Sequence, residues 1–326
     1  MKPFDPSLIH AINSANTILI TSHAFPDGDA AGSVIGLAAS LRLAGKSIDI
    51  AWSGETAGKF AFIFGNEPIL QPADITAKYD LAIILDVGSE ERTDFAEIIR
   101  SIGCPIINID HHATNKGFAD FDHIDVNASS ACEVIYHLIK SADWPIDQMA
   151  AEALYTGLVT DTRHFQNENV SAETFQTAAE LKSLDIDTAP IIRRLTQSRS
   201  KQDLRVLGLA LSSFQTKCHD RIAWVILRHT DIAALGATYR HAWSGGVFGY
   251  LVSLEPTLVS ASFVESESGK VFCEFRSKMG FDVSRIAAQF GGGGHRGASG
   301  CSSDKPIDEF ADEVLEELEK LILSND

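Results

Sequence analysis

Four apolar runs do most to limit what this chain can fold into: TILITS (17–22), SIDIAW (47–52), DLAIILDV (80–87) and PIINID (105–110). Each is short, and DLAIILDV and PIINID are apolar at successive rather than alternate positions. A strand with one wet face alternates, whereas a strand of a parallel sheet covered on both faces reads as a continuous apolar run. Helical patterns lie between the runs, among them AAGSVIGLAASLRLAG, whose small residues share one face. That alternation implies βαβ units and an open α/β sheet.

From 130 to 217 the pattern is helical, in SSACEVIYHLIKSAD, IDQMAAEALYTGLVTD, SAETFQTAAELKSLD and SKQDLRVLGLALSSFQTKC. The basic segment IIRRLTQSRSK (191–201) reads as the hinge. Beyond it RIAWVILR, LVSASFVESES and KVFCEFRSK read as strands, DVSRIAAQFG as a helix, and PIDEFADEVLEELEKLI as a closing amphipathic helix with a solvated acidic face. A chain of 326 residues, 45% of them hydrophobic, has material for two domains. The expected division is a first domain over 1–187, a linker over 188–204 and a second domain over 205–326.

The net charge of −17 argues against a protein that holds long nucleic acid in a stable complex. It is compatible with a small anionic substrate, because carboxylates gathered around divalent cations no longer repel phosphate. Cys104, Cys132, Cys218, Cys273 and Cys301 are scattered and never spaced C-x-x-C, so reduced thiols are expected rather than a disulfide framework or zinc knuckle. No segment approaches the roughly 18 uncharged apolar residues of a membrane span, and no basic region leads into an apolar leader. The expected location is the cytoplasm, away from membranes.

The apolar runs end alike. TSHAFPDGDAAGS supplies His23, Asp27 and Asp29, ILDVGS supplies Asp86, and NIDHH supplies Asp110, His111 and His112. In an open parallel sheet the carboxyl ends of the strands share one edge, where ligands bind. Gly28, between Asp27 and Asp29, reads as the residue that lets the backbone turn tightly there. Asp161 ends the apolar run EALYTGLVTD, where a helix macrodipole disfavours a carboxylate and a cation would relieve it. Any one of these is an ordinary loop residue; together they form a cluster that cannot stay ionised without cations. Carboxylate with imidazole suits manganese or a related divalent ion, and the ligand count fits two ions sharing one carboxylate.

HAFPDGDAAGS, LDVGS, IDHH and GLVTDT resemble the four motifs of the DHH phosphoesterase superfamily. GGGGHRGASG (291–300) resembles the glycine loop of the DHH-associated C-terminal domain. The resemblance implies an N-terminal open parallel sheet flanked by helices, a smaller α/β C-terminal domain, and an active site in the cleft between them. It implies two divalent ions, most simply manganese, with magnesium or cobalt as alternatives. One would take His23, Asp27 and Asp86; the other Asp29, Asp86, His111 and Asp161, with Asp86 bridging. Asp110 would support His111, leaving His112 to meet the phosphate or protonate the leaving oxygen. Arg276, Ser277, Gly292, Gly293, Gly294, His295 and Arg296 would bind substrate, the glycines by letting backbone N–H groups approach an anion.

Within the superfamily the chain is most similar to the bifunctional oligoribonuclease and pAp phosphatase (nano-RNase) group. That implies cleavage of short 5'-phosphorylated RNA or DNA oligonucleotides to mononucleotides, and conversion of pAp to AMP, by two-metal activation of a bridging water. A linear or cyclic dinucleotide phosphodiesterase, an inorganic pyrophosphatase or polyphosphatase, and a non-catalytic nucleotide sensor remain alternatives, and a homodimer stays open. Two departures bear on substrate preference: Arg163 stands where the family motif continues with glycine, and Arg296 where lysine is common.

Overall fold

The computed structural model describes residues 1–23, 27–52, 60–75, 78–278 and 280–323. Residues 24–26 of the first motif and the side chain of His295 lie outside that description. The chain forms two compact units, Met1–Gln197 and Ser198–Asp326.

The first unit is built on β1 (Thr17–Thr21), β2 (Ser47–Ala51), β3 (Ile69–Leu70), β4 (Leu81–Leu85), β5 (Ile106–Asp110) and β6 (Phe121–Ile124). They lie in the order β3-β2-β1-β4-β5-β6, all paired parallel. The continuous apolar runs have a direct cause. Ile18, Ile20, Ile83, Leu85, Ile107 and Ile109 enter the core on one face, while Leu19, Ala82, Ile84 and Ile106 enter a second core on the other. The order reverses at β1 and β4, the topological switch point where an open α/β sheet has its ligand crevice.

The helix Gly28–Leu43 leaves the crevice and is buried through almost its whole length. It lies close against the helix Gln148–Asp161: a Cβ on Gly32 would stand 2.5 Å from the Ala153 carbonyl oxygen, and one on Gly157 3.0 Å from the Gly28 carbonyl oxygen. The small face legible in the sequence is this contact. Inside the stretch expected as a linker, the chain is helical over Thr188–Thr196 and again over Lys201–Ser213. Ile191 and Leu195 of the former pack against Val159.

The second unit holds β7 (Gln215–Lys217), β8 (Ile222–Leu227), β9 (Val259–Glu265), β10 (Val271–Ser277), β11 (Gly293–His295) and β12 (Ala298–Ser303). Their order is β11-β12-β10-β9-β8-β7, with β8 and β9 parallel and the remaining neighbours antiparallel. Val271, Cys273 and Phe275 face the closing helix Ile307–Leu323 through Phe310, Val314 and Leu318. On the other face Val206 and Leu207, from the helix Lys201–Ser213, pack with Val225 and Val264. Among the described residues no helix is long and apolar enough to cross a membrane.

Candidate metal centre and active site

The sequence-selected groups converge where β1, β4 and β5 end. Three sets of potential ligand atoms each fall within 4.8 Å of one another: His23, Asp27 and Asp86; Asp29, His111 and Asp161; and Asp86, His111 and His112. Asp86 is the hub. His23 Nε2 lies 3.8 Å from its Oδ2, and His111 Nε2 and His112 Nδ1 lie 3.7 and 3.6 Å from its Oδ1. His111 Nε2 is also 3.7 Å from Asp29 Oδ2 and 3.5 Å from Asp161 Oδ2, while His23 Nε2 is 4.0 Å from Asp27 Oδ1.

Local structure explains each placement. Asp27 caps the helix Gly28–Leu43, accepting the N–H groups of Asp29 and Ala30 at 3.0 Å each. Asp29, one residue inside that helix, accepts from Ala131 at 2.6 Å and Cys132 at 2.9 Å. Those amides open the helix Ala131–Ser141, whose dipole favours an anion. Asp161 is the last residue of Gln148–Asp161, the dipole's unfavourable end. Gly28 has a different role from the tight turn expected of it. It is the first helical residue, and a Cβ there would stand 2.3 Å from Thr160 Oγ1, so it is room for the neighbouring helix that demands glycine. Asp86 itself takes a left-handed backbone, φ +57°, which aspartate tolerates better than most residues.

Asp110 supports a different histidine from the one expected. Its Oδ1 bonds His112 Nδ1 at 2.7 Å and accepts the His111 backbone N–H at 2.8 Å. The His111 ring is instead oriented by the Ala128 carbonyl, 3.4 Å from Nδ1. Asn115, which sequence reasoning did not select, donates to Asp110 Oδ2 at 2.7 Å and to the Val87 carbonyl at 3.0 Å. Nothing in the sequence separates it from an ordinary loop asparagine. Asn167, also unselected, donates to the Asp161 carbonyl at 2.7 Å.

The electrostatics follow from this packing. Burial, then the facing carboxylates of Asp29, Asp27, Asp110 and Asp161, push the Asp86 carboxyl well above the usual range. Burial and Asp29 and Asp27 do the same to Asp161, and burial raises Asp29 despite His111 and the amides at its oxygens. Burial lowers His23 against the pull of Asp27. Asp110 goes the other way: burial alone would raise it, yet the bonds from His112 and Asn115 hold it at about 2. It is therefore a carboxylate, so His112 carries its proton on Nδ1 and turns Nε2 away from Asp110.

This donor set fits divalent metal. Asp86 Oδ1 is buried with no hydrogen-bond partner, an expensive state for a carboxylate oxygen unless a cation compensates it. Separations of 3.5 to 4.0 Å among the donors are too long for hydrogen bonds. They match ligands that share an ion bound at about 2.1 Å, whose ligand atoms stand roughly 3 to 4 Å apart.

Arg163, in the position where the family motif has glycine, has φ +48°, and His164 and Phe165 continue left-handed at +58° and +63°. Glycine would adopt that conformation without a Cβ penalty. In the second unit, Arg276 and Ser277 end β10, and the glycine stretch expected as a loop becomes β11, its turn and β12. A Cβ on Gly292 would stand 2.1 Å from the Gly300 carbonyl oxygen and one on Gly294 2.7 Å from that of Ala298, so close strand packing requires both glycines. Gly293 faces open space. The Ser277 hydroxyl donates to the Phe281 carbonyl at 2.6 Å, and exposed Arg296 reaches the Gly280 carbonyl at 3.0 Å.

Comparison with known proteins agrees with this arrangement. The profile of the DHH family N-terminal domain matches residues 17–158, and that of the DHHA1 domain matches residues 231–324. The bifunctional oligoribonuclease and PAP phosphatase NrnA of Bacillus subtilis is 30% identical over 319 residues, 96% of this chain and 97% of that protein. The chain is a DHH-family phosphoesterase. This DHH phosphoesterase is also 29% identical to the NrnA of Thermus thermophilus over 306 residues, covering 92% of this chain and 88% of that one. The structure of an exopolyphosphatase-related protein from Bacteroides fragilis superposes with a TM-score of 0.89 at 26% identity, covering all of both chains. Divalent metal binding is typical of DHH proteins, and the buried Asp and His cluster lies within the matched domain except for Asp161, three residues beyond its end.

Proposed function

We propose that this DHH phosphoesterase degrades short 5'-phosphorylated oligonucleotides to mononucleotides and removes the 3'-phosphate of pAp to give AMP. The carrying observation is the convergence of three aspartates and three histidines about Asp86, one of whose buried oxygens has no partner, in a chain related along nearly its whole length to NrnA proteins. Two divalent ions there, manganese first and magnesium or cobalt as alternatives, supply Lewis acidity toward phosphate and a water nucleophile near neutral pH.

The chain's own residues do the rest. His23, Asp27 and Asp86 would hold one ion; Asp29, Asp86, His111 and Asp161 would hold the other. Asp110, anchored by Asn115, fixes the tautomer of His112, whose Nε2 holds or delivers a proton at the leaving oxygen. The second unit is the nucleotide-binding part: Arg276 offers a planar fork to phosphate, and the glycine strand with His295 and Arg296 offers further donors. Ser277 holds the turn that presents them.

The test is one panel: pAp, a 5'-phosphorylated dinucleotide, a five-mer, a cyclic dinucleotide and pyrophosphate, each with purified protein and manganese. AMP from pAp and mononucleotides from the oligomers are expected. No release from either sinks the proposal, and pyrophosphate turnover far above nucleotide turnover replaces it with the pyrophosphatase reading.

A further inference from the structure

Phe272, Glu274 and Arg276 of β10 are half-buried and alternate with the core residues Val271, Cys273 and Phe275. On that outer face Arg276 is held at three points. Its Nη1 donates to Glu274 Oε2 at 3.2 Å and to the Phe275 carbonyl at 2.7 Å, and its guanidinium lies 5.7 Å from the centre of the Phe248 ring. Both bonds use Nη1. Among the described residues neither Nε nor Nη2 has a partner, so one edge of the fork is anchored and the other is presented.

Glu274 is itself positioned. Burial raises its carboxyl above the ordinary range, while Arg276 and the adjoining Trp243 side chain pull toward the charged form. Trp243 is in turn wedged edge-on against Phe248 and Phe272, with ring centres 5.1 and 5.7 Å away. Across the strand pair Glu274 faces Gly300, where a Cβ would stand 2.9 Å from Glu274 Oε1. The carboxylate therefore lies over a strand position that has no side chain. A half-buried carboxylate with a single arginine partner, set above a glycine in the hairpin of the glycine motif, is more than a surface ion pair.

We propose that Glu274 is a positioning residue: backed by Trp243 and seated over Gly300, it fixes Arg276 so that the free Nε and Nη2 edge receives a phosphate of the nucleotide substrate. This rests on the function proposed above. Arginine loses much rotamer freedom when it binds; a guanidinium fixed beforehand has already lost it, so the benefit falls on substrate binding rather than on the chemical step.

The experiment is a double-mutant cycle on the full chain with manganese, using Glu274→Ala, Arg276→Ala and the double variant, with pAp as substrate. KM is expected to rise about tenfold or more for Glu274→Ala with kcat within about threefold, and Glu274→Ala is expected to add nothing once Arg276 is alanine. Glu274→Gln, whose amide oxygen still accepts from Nη1, should recover part of the loss. Gly300→Ala, which displaces Oε1 without touching either charge, should reproduce the KM effect. Melting temperatures identify any variant that has merely unfolded, and Glu274→Gln and Gly300→Ala then decide. A KM within twofold of the parent, or a Glu274→Ala effect of equal size with and without Arg276, overturns the proposal. If the parent protein turns over neither pAp nor oligonucleotides, the proposed function fails. The same cycle read by calorimetric binding of AMP then decides this inference, with no AMP binding by the parent counting against it.

Discussion

Replacing Asp86 by Asn should stabilise the metal-free protein while abolishing its response to metal. Asparagine is the informative choice because it tolerates the left-handed backbone at φ +57°, so the change removes charge without adding strain. Asp27 and Asp86 bring ligand oxygens within 4.8 Å. At an effective dielectric of about 20, two full charges at that distance repel by about 3 kcal/mol. More than one carboxylate faces Asp86, but burial keeps part of the set protonated, so a single pair is the working figure. For a unit the size of Met1–Gln197, about 3 kcal/mol corresponds to a rise in Tm of roughly 6 to 12 °C. Manganese should reverse the ranking, since two ions, each at a hundredfold excess over its Kd, stabilise the parent by about 5 kcal/mol and the variant loses its shared ligand. The assay is thermal melting in EDTA and in manganese. A variant that melts below the parent in EDTA, or keeps the metal-dependent shift, refutes the reasoning.

The raised carboxyls of Asp86, Asp29 and Asp161 mean that the metal-free folded state keeps protons that the unfolded chain releases above about pH 4. Their stability is present at low pH and lost as pH rises through the folded values, so the Tm gap between Asp86→Asn and the parent should widen from pH 5 to 8. Asp110 has the opposite sign: held at about 2 against an ordinary 3.8, it contributes about 2 kcal/mol above pH 4 that disappears on acidification, and Asn115→Ala should remove part of it in acid melts. Gly28→Ala should cost about 1 to 3 kcal/mol by driving a Cβ to within 2.3 Å of Thr160 Oγ1 and should weaken metal binding. Adding Thr160→Ala should restore part of both, as read by melting and by manganese titration. Gly292→Ala, whose Cβ meets backbone at 2.1 Å, should destabilise the second unit, while Gly293→Ala, facing open space, should melt like the parent.

How much of this was legible in the sequence depended on whether a residue's partners were local. β1, β4 and β5 could be read because both faces of each are buried, which leaves a largely apolar run, and β2 because Ile48, Ile50 and Ala51 are buried around a partly buried Asp49. β3 has two residues and β6 reads FDHI, so neither leaves such a run, and both exist because a neighbour pairs with them. β11 was hidden for a related reason: four glycines carry no strand propensity, and only contact with β12 makes Gly292 and Gly294 necessary. The ligand set was legible because a parallel sheet brings strand ends to one edge regardless of their separation in sequence. What it could not show was which histidine Asp110 supports, since that is decided by ring orientation within three consecutive residues. Asn115, Trp243 and Glu274 were invisible for the same reason, their roles lying wholly in tertiary contacts.

The most direct measurement of the central claim is the manganese content of the purified protein at equilibrium, by elemental analysis or calorimetric titration, beside Asp86→Asn. A centre built around one shared carboxylate predicts two ions per chain in the parent and loss of tight binding at both sites in the variant. A parent that binds no manganese, or a variant that still binds two ions with parental affinity, contradicts it.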